Sequence, residues 1–260
     1  MARIVVSGAS TGIGEATVRR LRGEGYDVVA TARREPRLVS LCEQTGCSYF
    51  AADLTVQEDI DAFVSFLGDG PVAGLVNVAG GALGQDSVAE GKVSDWQRMY
   101  EINVTATLRL TQALLPQFRH NGGDIVFLTS TAAYETYAGG AGYTAAKHAE
   151  RMIANTLRIE LVGEPVRIIE IAPGMVKTEE FSKNRLGGQK AAEKVYQGVA
   201  EPLVAEDIAD IIYWTLSRPR HVNIDLVKVR PVAQANSWTV ARQLDAEPAK
   251  LPRTALDSIK

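Results

Sequence analysis

The chain is poor in the residues on which several functional classes depend. Its 260 residues include two cysteines, Cys42 and Cys47, whose spacing matches neither a Cys-x-x-Cys pair nor a two-pair zinc cluster. Buried, reduced thiols are therefore expected, rather than a disulfide or a metal centre. Three histidines, His120, His148 and His221, are scattered along the chain, and no metal site is expected from them. Positive charge is not in excess: 28 Lys and Arg stand against 31 Asp and Glu, for a net charge of -3. The two signs are well mixed, so there is no basic stripe for a phosphate backbone, and nucleic acid is not an expected partner. Long apolar runs are missing too. None approaches the ~20 residues of a membrane span, and residues 1–7 are too short an apolar start for a signal peptide, which leads to the expectation of a cytoplasmic protein with no membrane partner.

What is present is enough apolar sequence, 46% of the chain, to bury a sizeable core. It is arranged as β-branched runs alternating with helix-period segments. Strands are predicted at 3–7, 26–32, 47–52, 74–78, 124–130, 166–172 and 225–230, and amphipathic helices at 14–22, 57–67, 96–119, 143–161 and 206–216. Near-continuous apolar strands such as residues 125–128 suit a sheet covered on both faces. The expected fold is α/β, a single Rossmann-type doubly wound parallel β-sheet with helices on both faces. Residues 1–232 are expected to form one domain that includes a possible substrate lid at about 175–200. Residues 233–260 form a polar, proline-containing tail.

Two motifs carry chemistry. The first is the run Ser7-Gly8-Ala9-Ser10-Thr11-Gly12-Ile13-Gly14 between the first strand and first helix. Glycines let backbone approach a pyrophosphate, and free N–H groups at a helix start hold its charge. A simple tight turn is the ordinary alternative. After the second strand, Arg33 and Arg34 stand where an acidic residue would otherwise hold a ribose 2′-hydroxyl, which suits a 2′-phosphate and hence NADP, unless both are merely solvated. The second motif is Tyr143-Thr144-Ala145-Ala146-Lys147. On a helix these ends share a face, so the ammonium can stabilise a phenolate whose free pKa is about 10. In isolation, such a pair is ordinary surface.

In their order and spacing these motifs resemble those of the short-chain dehydrogenase/reductase family, over essentially residues 3–231. The match includes Asp53-Leu54 after the third strand, Asn77-Val78-Ala79-Gly80 after the fourth, Asn103 in the long helix, Ser130 thirteen residues before Tyr143, and Pro173-Gly174-Met175-Val176-Lys177-Thr178 after the sixth strand. The resemblance implies an NADP(H)-dependent enzyme interconverting an alcohol and a carbonyl. Within it, Tyr143 is the acid/base, Ser130 orients the substrate oxygen, and Lys147 activates Tyr143 and binds the nicotinamide ribose. Asn103 would hold a relaying water. Gly8, Ser10, Thr11, Gly12, Ile13 and Gly14 would take the pyrophosphate, and Arg33 and Arg34 the 2′-phosphate. Asp53 and Leu54 would meet the adenine, Asn77, Ala79 and Gly80 the ribose, and Pro173, Gly174, Val176 and Thr178 the nicotinamide. The family also implies a homotetramer.

Two positions depart from the family pattern. Ser7 replaces a threonine, a mild change that keeps a hydroxyl able to bond the turn; Val78 replaces an asparagine whose amide ties the loop to neighbouring strands, and this puts loop rigidity, though not the chemistry, in doubt. Four further blocks, including residues 79–84 and 137–140, Glu180-Phe181-Ser182 with Arg185, and residues 221–224, resemble the branch of NADP-dependent 3-hydroxy acid dehydrogenases acting on serine and allo-threonine. On that basis Arg185, in the lid, is expected to meet a substrate carboxylate; otherwise it is a solvated neighbour of Lys183 and Lys190. Three alternatives remain. One is a carbonyl reductase for an uncharged substrate. Another, a catalytically silent NADP-sensing protein, would be expected to have lost Ser130, Tyr143 or Lys147. The third is an extended nucleotide-sugar epimerase, for which the chain lacks room.

Overall fold

The computed structural model describes residues 3–243. The β-branched run Ile4, Val5 and Val6 forms the central strand β1 (Arg3–Ser7), flanked by β2 (Asp27–Ala32) and β3 (Ser48–Ala51) on one side. On the other side follow β4 (Val72–Asn77), β5 (Gly123–Leu128) and β6 (Val166–Pro173). Two short strands, β7 (Val176–Lys177) and β8 (Leu203–Val204), pair with each other outside this sheet, and β9 (Leu226–Val229) closes it beyond β6. Every pairing is parallel, in the order β3-β2-β1-β4-β5-β6-β9. The predicted doubly wound sheet is therefore the observed one. The order reverses between β1 and β4, which opens a crevice at the strand C-termini, where ligands of such sheets bind.

The helices follow in chain order: α1 (Gly12–Gly23), α2 (Glu35–Thr45), α3 (Gln57–Leu67), α4 (Val93–Tyr100), α5 (Ala106–Asn121) and α6 (Ala141–Glu160). Then come α7 (Phe181–Leu186), α8 (Gln189–Tyr196) and α9 (Ala205–Leu216). Because strand side chains alternate between faces, Val5 and Leu75 pack with Phe63, Leu114 and Leu157 of α3, α5 and α6. Their neighbours Val6 and Val76 face Leu21, Leu38 and Ile212 of α1, α2 and α9. At the N-terminal edge of the sheet, Arg167 forms a buried bidentate pair with Asp124, both bonds at 2.7 Å, and also bonds the carbonyls of Leu216, Arg218 and Val222. That edge is cross-linked for stability, which leaves the opposite edge free for chemistry.

Some local structure differs from expectation. The stretch predicted as one helix at 96–119 contains a π-helical turn, Glu101–Thr105, between α4 and α5. The lid region holds two short helices, α7 and α8, and α2 was not foreseen. The free thiols expected at Cys42 and Cys47 are a disulfide. Gly46 ends α2 in the left-handed conformation (φ +71°) and turns the chain back, bringing the two Cα atoms to 4.6 Å. Of the tail, residues 233–243 fold against the domain, with Gln243 donating to the Gly198 carbonyl at 2.8 Å. The remainder, 244–260, lies outside the described residues.

The doubt raised by Val78 is answered by Ser7. The fully buried Ser7 hydroxyl accepts from the backbone N–H groups of Val78 and Ala79 at 3.0 and 3.1 Å and sits 3.4 Å from the Val76 carbonyl. This hydroxyl, which a threonine would also supply, ties from below the loop that an asparagine at position 78 would tie from within. Ser7→Ala should leave two N–H groups without their partner and destabilise the protein by about 1–3 kcal/mol in urea unfolding. An unchanged midpoint and slope would show that the loop finds its bonds elsewhere.

Candidate active site

The loop after β1 is built for close approach. Gly8 has φ +64°, and a Cβ there would lie 2.8 Å from the Ala79 backbone nitrogen. A Cβ on Gly14 would lie 2.3 Å from the Gly8 carbonyl oxygen, so α1 can press against the loop only with glycine at that position. Gly14 itself does not line the cavity the loop opens into. That cavity, about 850 Å³, runs from Arg33, Arg34 and Asp53 past Gly8, Ser10 and Thr11 to Ser130, Tyr143 and Lys147. Gly12, Ile13, Leu54, Ala79 and Gly80 also line it, as do Pro173, Gly174, Val176 and Thr178. Thr178 packs on Gly12, whose Cβ would sit 3.4 Å from it.

The arginine end is already held by acids. Arg34 bonds the Ser10 hydroxyl at 3.0 Å and pairs with Glu180 at 2.7 Å, and Arg37 pairs with Glu179 at 3.2 Å. Arg33 is exposed at the rim. Although partial burial works against it, bonds from Thr55 and the nearby charges of Arg33 and Arg98 hold the Asp53 carboxyl below the usual range.

At the other end, α6 presents Tyr143 and Lys147 from one face, both buried. Ser130 follows β5, where its hydroxyl accepts from the Ala132 N–H at 3.1 Å. Burial pushes the Tyr143 phenol up, against the pull of the Lys147 charge and of a hydrogen bond with Ser130. The Lys147 ammonium donates to the Leu128 carbonyl at 3.0 Å and to the Glu150 carboxylate at 2.6 Å. Burial alone would lower its pKa, but Glu150 and Tyr143 outweigh it and hold the group protonated. Asn77 and Asn103 lie behind the cavity wall. Asn77 donates to Thr111 at 3.2 Å. The amide of Asn103, in the π turn, accepts from the Gly81 N–H at 3.1 Å and donates to the Gly81 and Met99 carbonyls at 2.8 and 2.7 Å. It thereby pins Gly80 and Gly81 beside Lys147; a Cβ on Gly80 would lie 2.6 Å from the Asn103 oxygen and 3.5 Å from the lysine nitrogen.

The stretch expected as a lid contributes residues from α7. Phe181 packs edge-on to Tyr143 with ring centroids 5.7 Å apart. Arg185, half-buried, donates to the Gly84 carbonyl at 3.1 Å, the Tyr137 hydroxyl at 3.0 Å and the Gly139 carbonyl at 3.3 Å. Its guanidinium carbon is 5.7 Å from the Tyr143 ring centroid. Sequence reasoning missed Glu150, Glu180 and Tyr137 as site residues. It also missed the contribution of residues 234–242, of which Gln234, Trp238 and Arg242 line the cavity. For Glu150 a signal existed: it lies three residues beyond Lys147, on the same helix face.

The short chain dehydrogenase family model matches residues 2–187. The chain belongs to that family. Among its relatives are an uncharacterized oxidoreductase of Mycobacterium tuberculosis, 49% identical over 235 residues (90% of this chain and 92% of the relative), and a serine 3-dehydrogenase of Agrobacterium fabrum, 39% identical over 237 residues (89% and 94%). The solved structure of the closed form of a serine dehydrogenase complexed with NADP+ superimposes with a TM-score of 0.87 at 35% identity, covering 93% of this chain and all of that one.

The residues lining the cavity suit a nucleotide with a 2′-phosphate. The phosphate loop is open to close approach, two arginines stand at its end, and the Thr11 hydroxyl oxygen is buried with no partner among the described residues. Because Glu180 already occupies Arg34, such a ligand has to displace a carboxylate. Glu180→Gln should therefore tighten the binding of adenosine 2′-phosphate, measured by calorimetry, by about 2–5-fold, the worth of a partly exposed pair. Weaker binding would mean that Glu180 orders Arg34 for its ligand rather than competing with it.

Proposed function

We propose that this protein is an NADP(H)-dependent oxidoreductase that interconverts a small 3-hydroxy acid and its carbonyl product, with Tyr143 as the acid/base. The observation that carries the substrate class is Arg185. Its hydrogen bonds go to neutral oxygens, those of Gly84, Tyr137 and Gly139, while its charge sits against the ring of Tyr143. A half-buried guanidinium beside a proton-transfer group, with no carboxylate paired to it among the described residues, is suited to an anionic substrate. The reacting hydroxyl of a 3-hydroxy acid lies two carbons from its carboxylate, a short span that suits the nearness of Arg185 to Tyr143. The serine dehydrogenases among its relatives support this reading, since serine is such an acid.

When bound, NADP(H) would supply the hydride acceptor or donor. The chain does the rest. Arg33, Arg34, Ser10 and Thr11, which line the cavity, would hold the phosphates, and Thr178 and Val176, which line it too, would border the nicotinamide. Ser130 donates to the substrate oxygen and fixes its direction. Tyr143 takes the hydroxyl proton in oxidation and returns it in reduction. Lys147, kept protonated, favours the phenolate against the cost of burial. Residues 175–200 act as the lid, placing Phe181 and Arg185 over the substrate and excluding water. Residues 1–232 form the catalytic domain. We further read the protein as cytoplasmic, no described helix being long and apolar enough to cross a membrane, and as a homotetramer, for which exposed Tyr100, Met152 and Ile159 on α4 and α6 offer apolar surface.

Tyr143→Phe keeps the ring packing on Phe181 and removes the proton, so turnover should fall by about 10²–10⁴-fold with cofactor affinity retained. Arg185→Ala should raise KM for 3-hydroxy acids by about ten-fold or more and leave neutral secondary alcohols unaffected, as measured by NADP reduction. Equal loss on acids and neutral alcohols would remove the substrate assignment and leave a carbonyl reductase of broader scope.

A further inference from the structure

Glu150 is a buried ionisable group to which the mechanism above gives no role. Its side chain is fully buried, one oxygen accepts from the Lys147 ammonium at 2.6 Å, and the other is buried with no partner among the described residues. The ammonium has three hydrogens. Glu150 takes one and the Leu128 carbonyl a second, leaving a third for the cavity side, where Gly80 makes its close approach.

The charge balance around this contact is uneven. From α6 come Tyr143, Lys147 and Glu150; from β6 comes buried Glu170, with one oxygen accepting from the Thr129 hydroxyl at 2.6 Å. From the segment after β5 come Ser130 and Tyr137, and from α7 comes Arg185, over Tyr143. Glu170 also meets the Tyr134 hydroxyl, which lies beneath the Arg151 guanidinium, whereas Glu150 has Lys147 alone, so two buried carboxylates stand near one buried ammonium and only Glu170 has further partners. Keeping both ionised leaves one short of compensation, and burial favours protonation of the less well bonded acid. With an orphaned oxygen, that acid is Glu150.

We propose that Glu150 is a positioning residue for the proton transfer: it anchors Lys147 and, by gaining or losing its own proton, sets how much of the ammonium's field reaches the Tyr143 phenol. The proposal rests on the reading of Tyr143 as acid/base. Burial raises the Glu150 carboxyl to about 7, against the pull of Lys147, so the switch falls in the working range. The sign follows from which charges remain. Ionised Glu150 offsets the ammonium and keeps the phenol up; when Glu150 is protonated, Glu170 and the Tyr143 oxygen still hold Lys147 charged, and its field, no longer offset by Glu150, lets the phenol ionise at lower pH.

Glu150→Gln keeps the size and an oxygen for the lysine but removes the charge. The acid limb of kcat for alcohol oxidation should move to lower pH by about 0.5–1 unit, whatever the change in the plateau kcat. Glu150→Asp, which retains the charge, should keep the wild-type limb even where kcat falls. An unmoved limb in Glu150→Gln, or a uniform loss at all pH in both variants, would reduce Glu150 to packing and overturn the proposal. A readout without turnover, or without any variant that folds, is the assigned Glu150 carboxyl ¹³C resonance of the wild-type protein free of cofactor. It should titrate near neutrality, and titration below about pH 5 would overturn the proposal. If Tyr143→Phe kept its turnover, the underlying mechanism would fail, while this resonance would still report on Glu150 itself.

Discussion

Lys147 carries its charge to a depth where only 5% of the residue meets solvent, and an isolated ammonium there would cost several kcal/mol. The neighbourhood is arranged around meeting that cost. The end of β5 offers the Leu128 carbonyl, α6 offers Glu150 one turn on, and β6 brings Glu170 into range. The same charge pulls against the burial of Tyr143, so the field that makes phenolate reachable and the bonds that make the lysine tolerable are one set of contacts.

The fold supplies this arrangement because a parallel sheet delivers several strand C-termini to one edge. The loops after β1, β4, β5 and β6 meet there, and close packing between them depends on small residues: Gly8 against Ala79, Gly80 against Asn103. Asn103 performs its part from behind the wall. The π turn that holds it lets the long helix present an amide to the Gly81 backbone, so a helix irregularity sets the floor of the site. The opposite edge of the sheet holds the Arg167–Asp124 pair, stable and remote from the chemistry.

Much of this was legible beforehand where local pattern and tertiary fate agree. Apolar runs marked all seven strands of the main sheet, and glycine spacing and the Tyr-x-x-x-Lys pair placed the two ends of the cavity. The failures share a cause: the deciding contact lay far along the chain or depended on a fold-back. Ser7 and Val78 read as two separate departures because 71 residues separate them, although one hydroxyl joins them in space. Cys42 and Cys47 were judged against metal-ligand spacings, but the turn at Gly46 decides their pairing. Glu150 went unmarked, since charge in a helix says nothing of burial until the partner strand is known. The short helices of the lid carry too little periodicity to be seen in a polar stretch.

In the proposed reaction Arg185 holds the substrate anion while Tyr143 moves a proton beside it. The most direct measurement compares kcat/KM for NADP reduction with 3-hydroxypropionate against that with 3-hydroxypropionamide, which keeps the shape and loses the charge. A charge-assisted contact predicts preference for the acid by about ten-fold or more, shrinking as salt is added. Equal rates for the two, or a preference for the amide, would contradict the account.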